Sequence, residues 1–232
     1  MLKKNNLEIM TVIFFGMITI CAVFSNQLGL VQRIMLGYMF LFTLHEWEET
    51  RYPGGFAGLM VKFFGLTANP DKIAAAHIPV AILLIVITFV PFFTQLPILA
   101  LVPVYLGLFE TSIHLVGIKL HKMNKPYTPG MVTGIMLGIT SVIVLVTFSQ
   151  NKLMSRSGYV WGIPLMIFCF AAMQRTVLAI YGLGYKFIIE NYYYCQSVSV
   201  IAEKMKMNPS TIKTRLRRGR EKLHQHLTGF EA

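Results

Sequence analysis

Two pairs of residues carry the chemistry open to this chain. His45 and Glu49 stand four positions apart in His45-Glu46-Trp47-Glu48-Glu49-Thr50-Arg51, and Glu110 and His114 repeat that spacing in an otherwise apolar run. Positions i and i+4 share one face of an α-helix, so each pair offers an imidazole nitrogen and a carboxylate oxygen to a common point. Helix bundles that bind metal ions present Glu and His inward in this way. Neutral imidazole with carboxylate suits a divalent metal such as Zn, Fe or Mn, and an open coordination position would activate water. Glu48, at i+3 from His45, is the candidate general base, and His77 is a further candidate ligand. Each group taken alone has a plainer reading. Glu48 and Glu49 have Arg51 and Lys72 as possible ion-pair partners, Glu110 has Arg175, and His114 can bond a backbone carbonyl. Glu110 resists that reading most, because a carboxylate within hydrocarbon is rare and usually functional.

The elements that must position these groups are membrane helices. The 232 residues are 55% hydrophobic and 13% charged, where soluble chains are about 25% charged. A spanning helix needs about 20 apolar residues, and six stretches qualify: 6–24, 28–48, 73–94, 97–118, 129–149 and 158–185. Phe56–Leu66 is too short to span and reads as an interfacial helix. The apolar run behind Met1-Leu2-Lys3-Lys4 has no small-residue cleavage site after it and reads as a first span that stays. Cys21, Cys169 and Cys195 are far apart and form no disulfide framework. With the N-terminus inside, the inner segments hold eight of the loop lysines and arginines, and the outer loops hold only Lys152 and Arg156. By the positive-inside rule this places both termini in the cytosol, in a bacterial cytoplasmic membrane. His45, Glu48, Glu49, His77, Glu110, His114 and Arg175 then converge on the cytosolic leaflet, as does the Tyr127-Thr128-Pro129-Gly130 turn that opens the fifth span.

His45-Glu46-Trp47-Glu48-Glu49 reads H-x-x-E-E, and Tyr127, Pro129 and Gly130 read Y-x-P-G. With a further histidine (His114, His121 or His77, of which His114 is favoured by its depth and its Glu110 neighbour), these resemble the HXXEE family of multi-pass membrane proteins, over residues 10–150. That family's function is unassigned, so the resemblance implies a membrane fold and a motif, with Tyr127, Pro129 and Gly130 as part of it.

A second composition begins near residue 186. Residues 191–232 hold eight lysines and arginines against three glutamates. Val198, Ile201, Ala202 and Met205 form a helical stripe. Asn208-Pro209 then opens a second helix as cap and first residue, with Ile212, Leu216, Gly219, Leu223 and Leu227 on its apolar side. Ser210, Thr211, Lys213, Thr214, Arg217, Arg218 and Arg220 are left exposed, as on a helix that reads a DNA groove. The segment from Phe187 resembles region 4 of sigma-70-type factors, which implies that those residues face DNA. Where that pattern usually has a turn glycine, this chain has Lys206. The plainer reading of a basic amphipathic tail is adhesion to anionic lipid.

The expectation is therefore an all-α protein: a transmembrane domain over 1–185 with six spans, and a cytosolic helix-turn-helix over 186–232. Two functions fit. One is a membrane-tethered transcription regulator that senses a lipid, metal or hydrophobic ligand and binds DNA, as a homodimer. The other is a metal-dependent membrane enzyme acting on a lipid or isoprenoid.

Overall fold

The computed structural model describes residues 5–63, 69–120, 126–183, 198, 199, 202 and 207–228, and among them all regular structure is helical. The helices are α1 (Asn6–Val23), α2 (Leu30–Thr50), α3 (Phe56–Phe63), α4 (Pro70–Thr94), α5 (Pro97–Leu120), α6 (Met131–Gln150), α7 (Arg156–Tyr181) and α8 (Pro209–Thr228), with one 3-10 turn at Ser25–Gln27. The chain divides into two compact units, one of residues 1–62 and 67–183, the other of 63–66 and 184–232.

Local chemistry sets the helix ends. Asn69 Oδ1 accepts from the backbone N–H of Asp71 and Lys72 at 3.0 and 3.1 Å, and Pro70 supplies the first helical residue of α4. Ser155 caps α7, which closes on Gly182 in the left-handed region. Prolines inside α4, α5 and α7 are tolerated in helices whose sides are packed or lipid-facing.

In the first unit, α2 lies at the centre and packs against α1, α4, α5 and α6. Met35, Tyr38, Met39 and Phe42 on α2 are buried together with Phe14, Leu101, Val104, Leu137 and Phe148. The outward faces are also apolar: Val12, Ile82, Val86, Val132, Ile139 and Phe168 are exposed. Apolar surface on both sides of a bundle is the pattern of helices solvated by lipid. Five helices, α1, α4, α5, α6 and α7, are long and apolar enough to cross a membrane. α2 is not among them, because Gln32, Arg33 and the His45–Glu49 segment lower its hydropathy. Five of the six expected spans thus meet the criterion; the sixth is a core helix whose polar end faces inward.

One end of this bundle is tied by polar contacts. Asn6 donates to the Ala74 carbonyl at 3.1 Å, Trp47 Nε1 donates to Thr11 Oγ1 at 2.9 Å, and Arg51 pairs with Glu8. The start of α1, the end of α2 and the start of α4 therefore lie at a common level.

In the second unit, Asn208 Oδ1 accepts from Ser210 N at 3.0 Å, ahead of α8. Ala202 and Ile212 are buried, and Ser210, Thr211, Lys213, Thr214, Arg217 and Arg218 are exposed. Lys206, Cys195, most of the expected first helix of the pair, and the side chains of Leu216, Gly219, Arg220, Leu223 and Leu227 lie outside the described residues. The described part is α8 with its cap, preceded by the helical residues 198, 199 and 202.

Candidate metal centre

The centre lies where the last turns of α2, the second half of α5 and the first turn of α6 meet. α2 contributes His45 and Glu49, and α5 contributes Glu110 and His114. Each offers one ligand atom, and the four atoms lie within 4.8 Å of one another. Glu49 Oε1 is 3.6 Å from His45 Nε2 and 3.2 Å from His114 Nε2, and Glu110 Oε2 is 3.8 and 4.0 Å from the same two nitrogens. The imidazole rings meet edge to face with centroids 5.2 Å apart. Glu49 Oε1 and His114 Nε2 are buried and neither has a hydrogen-bond partner. Buried polar atoms are nearly always satisfied, so two orphans facing each other call for a further partner. A cation between them satisfies both, and the donor set suits a divalent one: two imidazoles and two carboxylates from a low-dielectric bundle.

The outer ring nitrogens decide which way the imidazoles point. His45 Nδ1 is 3.0 Å from Thr133 Oγ1, and the Thr133 hydroxyl donates to Glu48 Oε2. A hydroxyl has one proton, so Thr133 Oγ1 must accept from His45 Nδ1–H. At His114 the outer nitrogen has a matching neighbour: Nδ1 is 3.1 Å from Thr128 Oγ1, and that hydroxyl is also within reach of the His114 carbonyl at 3.3 Å, so Thr128 accepts from Nδ1–H when its own proton goes to the carbonyl. A neutral imidazole whose proton is held outward at Nδ1 in this way turns its Nε2 lone pair to the shared point. This is the way metal-ligating histidines are held.

Glu48 is spent on a different task. Its carboxylate accepts from Val132 N at 3.1 Å, Thr133 N at 2.8 Å, the Thr133 hydroxyl and the Tyr127 hydroxyl at 2.8 Å. Val132 and Thr133 are the second and third residues of α6, so a carboxylate from α2 caps α6, whose own cap position is Gly130. The general-base role expected of Glu48 competes with this geometry, in which α6 and Tyr127 occupy its acceptor sites. Burial and then the bond to Glu48 push the Tyr127 hydroxyl up to about 12, which keeps it a donor.

The Y-x-P-G turn now has physical content. Tyr127 donates to Glu48, and Thr128 orients His114. Gly130 has φ +92°, and a Cβ there would stand 2.6 Å from Glu49 Cγ and 2.7 Å from His114 Cε1. Gly134, one turn on, leaves the space in which the His114 ring lies; a Cβ would be 2.9 Å from its Cδ2.

His77 does not join the four. It sits on α4 with Nδ1 3.9 Å from Glu46 Oε2, so its expected place as a ligand is not one that this arrangement provides. The reason is rotational: Glu46 follows His45 by one residue, about 100° around α2, so its neighbours lie on another side of that helix. Glu46, His45 and Glu110 line a small pocket of about 30 Å³ whose other walls are apolar, among them Phe42, Leu106 and Phe170. Thr128, Thr133 and Gly134 were not singled out from the sequence. Thr128 was visible only as the unnamed position of its motif, and Thr133 only as the residue one turn into α6.

The fold and site together define a helical membrane-type bundle with a buried two-histidine, two-carboxylate group. Residues 36–148, just under half of the chain, match the family model described as "Protein of unknown function with HXXEE motif". The match takes in both candidate ligand pairs, the turn at 127–130 and all but the last two residues of α6, and none of α8. In this chain the named motif is His45, Glu48 and Glu49: two ligand candidates flanking the α6 cap. No curated protein and no solved structure matches the chain.

Proposed function

We propose that this chain is an integral membrane protein of six spans, α2 included, whose buried His45, Glu49, Glu110 and His114 hold one divalent metal ion for chemistry on an apolar substrate such as a lipid or isoprenoid. The observation that carries the reading is the convergence of four ligand atoms within 4.8 Å, two of them buried without partners. For metal–ligand distances of about 2.0–2.1 Å, a tetrahedral ion needs ligands about 3.4 Å apart. Four of the six separations here are 3.2, 3.6, 3.8 and 4.0 Å and none exceeds 4.8 Å, which supports one ion drawn in by a small closure of the ligands, with zinc, iron or manganese as the candidates. A two-ion site, with metals about 3.5–4 Å apart, would need more donors than these four. A bound ion would supply Lewis acidity or an activated water. The protein's part is to orient both imidazoles through Thr133 and Thr128, and to keep bulk water out.

The polar end of the bundle is placed at the cytosolic leaflet by the lysine and arginine bias, with both termini inside. The test is to incubate phospholipid and isoprenoid extracts with zinc-loaded, detergent-solubilised protein and analyse them by mass spectrometry. New species that need both zinc and His114 support the reading. Unchanged extracts, with zinc bound, reject the enzyme.

A second reading is favoured by one observation, the exposed Lys213, Arg217 and Arg218 on α8. In it the tail binds DNA, the bundle senses metal or lipid, and the protein is a membrane-tethered regulator acting as a homodimer. Solubilised full-length protein should then bind genomic DNA fragments with an affinity that falls steeply with salt. Undetectable or salt-insensitive binding rejects it.

A further inference from the structure

We infer that the metal centre has one exchangeable edge, on the Glu110 side, where a water-sized ligand that is neutral or singly negative enters from the adjoining pocket. The inference rests on the metal-centre reading and adds to it a distinction among the four ligands. They are not held alike. The side chains of His114, His45 and Glu49 are 0%, 4% and 11% exposed, and Glu110 is 18% exposed. Glu110 Oε2 also makes the two longest approaches to the imidazole nitrogens, 3.8 and 4.0 Å, against 3.6 and 3.2 Å for Glu49 Oε1.

The pocket lies on the same side. Of the four ligand residues, His45 and Glu110 line it and Glu49 and His114 do not. Two imidazoles and one carboxylate are the protein ligands of a zinc site that keeps its fourth position for water or substrate. His45, His114 and Glu49 match that set, which leaves Glu110 at the open edge, as a displaceable ligand beside whatever enters. The pocket's size fixes the ligand class. About 30 Å³ accommodates a water or a molecule a few atoms long. Its apolar walls, Phe42, Val80, Leu106 and Phe170, would strip a multiply charged ion of hydration, and the Glu46 and Glu110 carboxylates that share the lining would oppose any anion not held by the metal. A small monoanion or the oxygen-bearing tip of an apolar molecule fits.

The experiment uses the full chain in detergent, loaded with Co²⁺, whose visible spectrum reports coordination. Azide titration should change the spectrum saturably. Val80→Phe, which fills the pocket from α4, should bind cobalt and lose most of the azide response. Glu110→Gln should retain cobalt with an affinity loss of about tenfold or less, while Glu49→Gln should lose far more. A cobalt spectrum that azide does not move overturns the inference and leaves a closed four-ligand centre. An undiminished azide response in Val80→Phe overturns the pocket as the route. A wild-type chain that takes up no cobalt removes the metal centre itself, and the open edge with it.

Discussion

Thr133→Val probes the link between the α6 cap and the ligand set. The substitution keeps β-branching and shape and deletes one hydroxyl. That hydroxyl makes two contacts: it donates to Glu48 and accepts from His45 Nδ1–H at 3.0 Å. Glu48 retains the backbone N–H groups of Val132 and Thr133 and the Tyr127 hydroxyl, so α6 remains capped. His45 has no such reserve. Either its Nδ1–H is left buried without an acceptor, at about 1–3 kcal/mol, or the proton moves to Nε2 and blocks the metal-facing lone pair. Both routes act on metal binding, and loss of such an orienting partner typically costs 10–100-fold in affinity, or about 1.4–2.7 kcal/mol. Competition for zinc against a chromophoric chelator measures this directly. Thr133→Ser keeps the hydroxyl and should bind like the wild type. Thr147→Val, which removes a hydroxyl bonded only along α6 to the Ile143 carbonyl, should also be unchanged. A Thr133→Val protein within roughly twofold of wild type would refute the orienting role.

Three further outcomes are expected. Glu48→Ala strands the N–H groups of Val132 and Thr133 and the Tyr127 hydroxyl, and should destabilise the bundle by about 2–4 kcal/mol, read as a lowered thermal midpoint. Gly130→Ala sets a Cβ against Glu49 and His114 at a φ of +92°, so metal content should fall before secondary structure is lost; circular dichroism with metal analysis separates the two. His77→Ala removes only the contact to Glu46 and should leave zinc affinity unchanged. A drop of tenfold or more would return His77 to the ligand set.

What was legible in the sequence was whatever one helix encodes alone. The i,i+4 spacing of His45 with Glu49 and of Glu110 with His114 is local, and both pairs face inward as that spacing implies. Helical class and most membrane-length helices follow from apolar runs, and the α8 start from Asn208-Pro209 capping, whereas the Asn69 cap that starts α4 three residues before the expected span was not read. What depends on register between helices was not legible. Glu48 reads as a general base on the His45 face, yet its partners are 79–85 residues away and are met only once α6 docks against α2. His77 lies at a suitable depth, but the rotation of α4 about its axis turns it to Glu46. α2 fails a hydropathy test because a central helix carrying the site must be the polar one. The orienting threonines were hidden for a simpler reason: a threonine one turn into a helix is ordinary, and only the direction of its hydrogen bond sets it apart.

The most direct measurement is the metal content of the full chain, purified in detergent, loaded with zinc and desalted. The account predicts about one zinc per chain, lost in His114→Ala and in Glu49→Gln and kept in His77→Ala. Less than ~0.1 zinc per chain in the wild type, or undiminished zinc in His114→Ala, would contradict it.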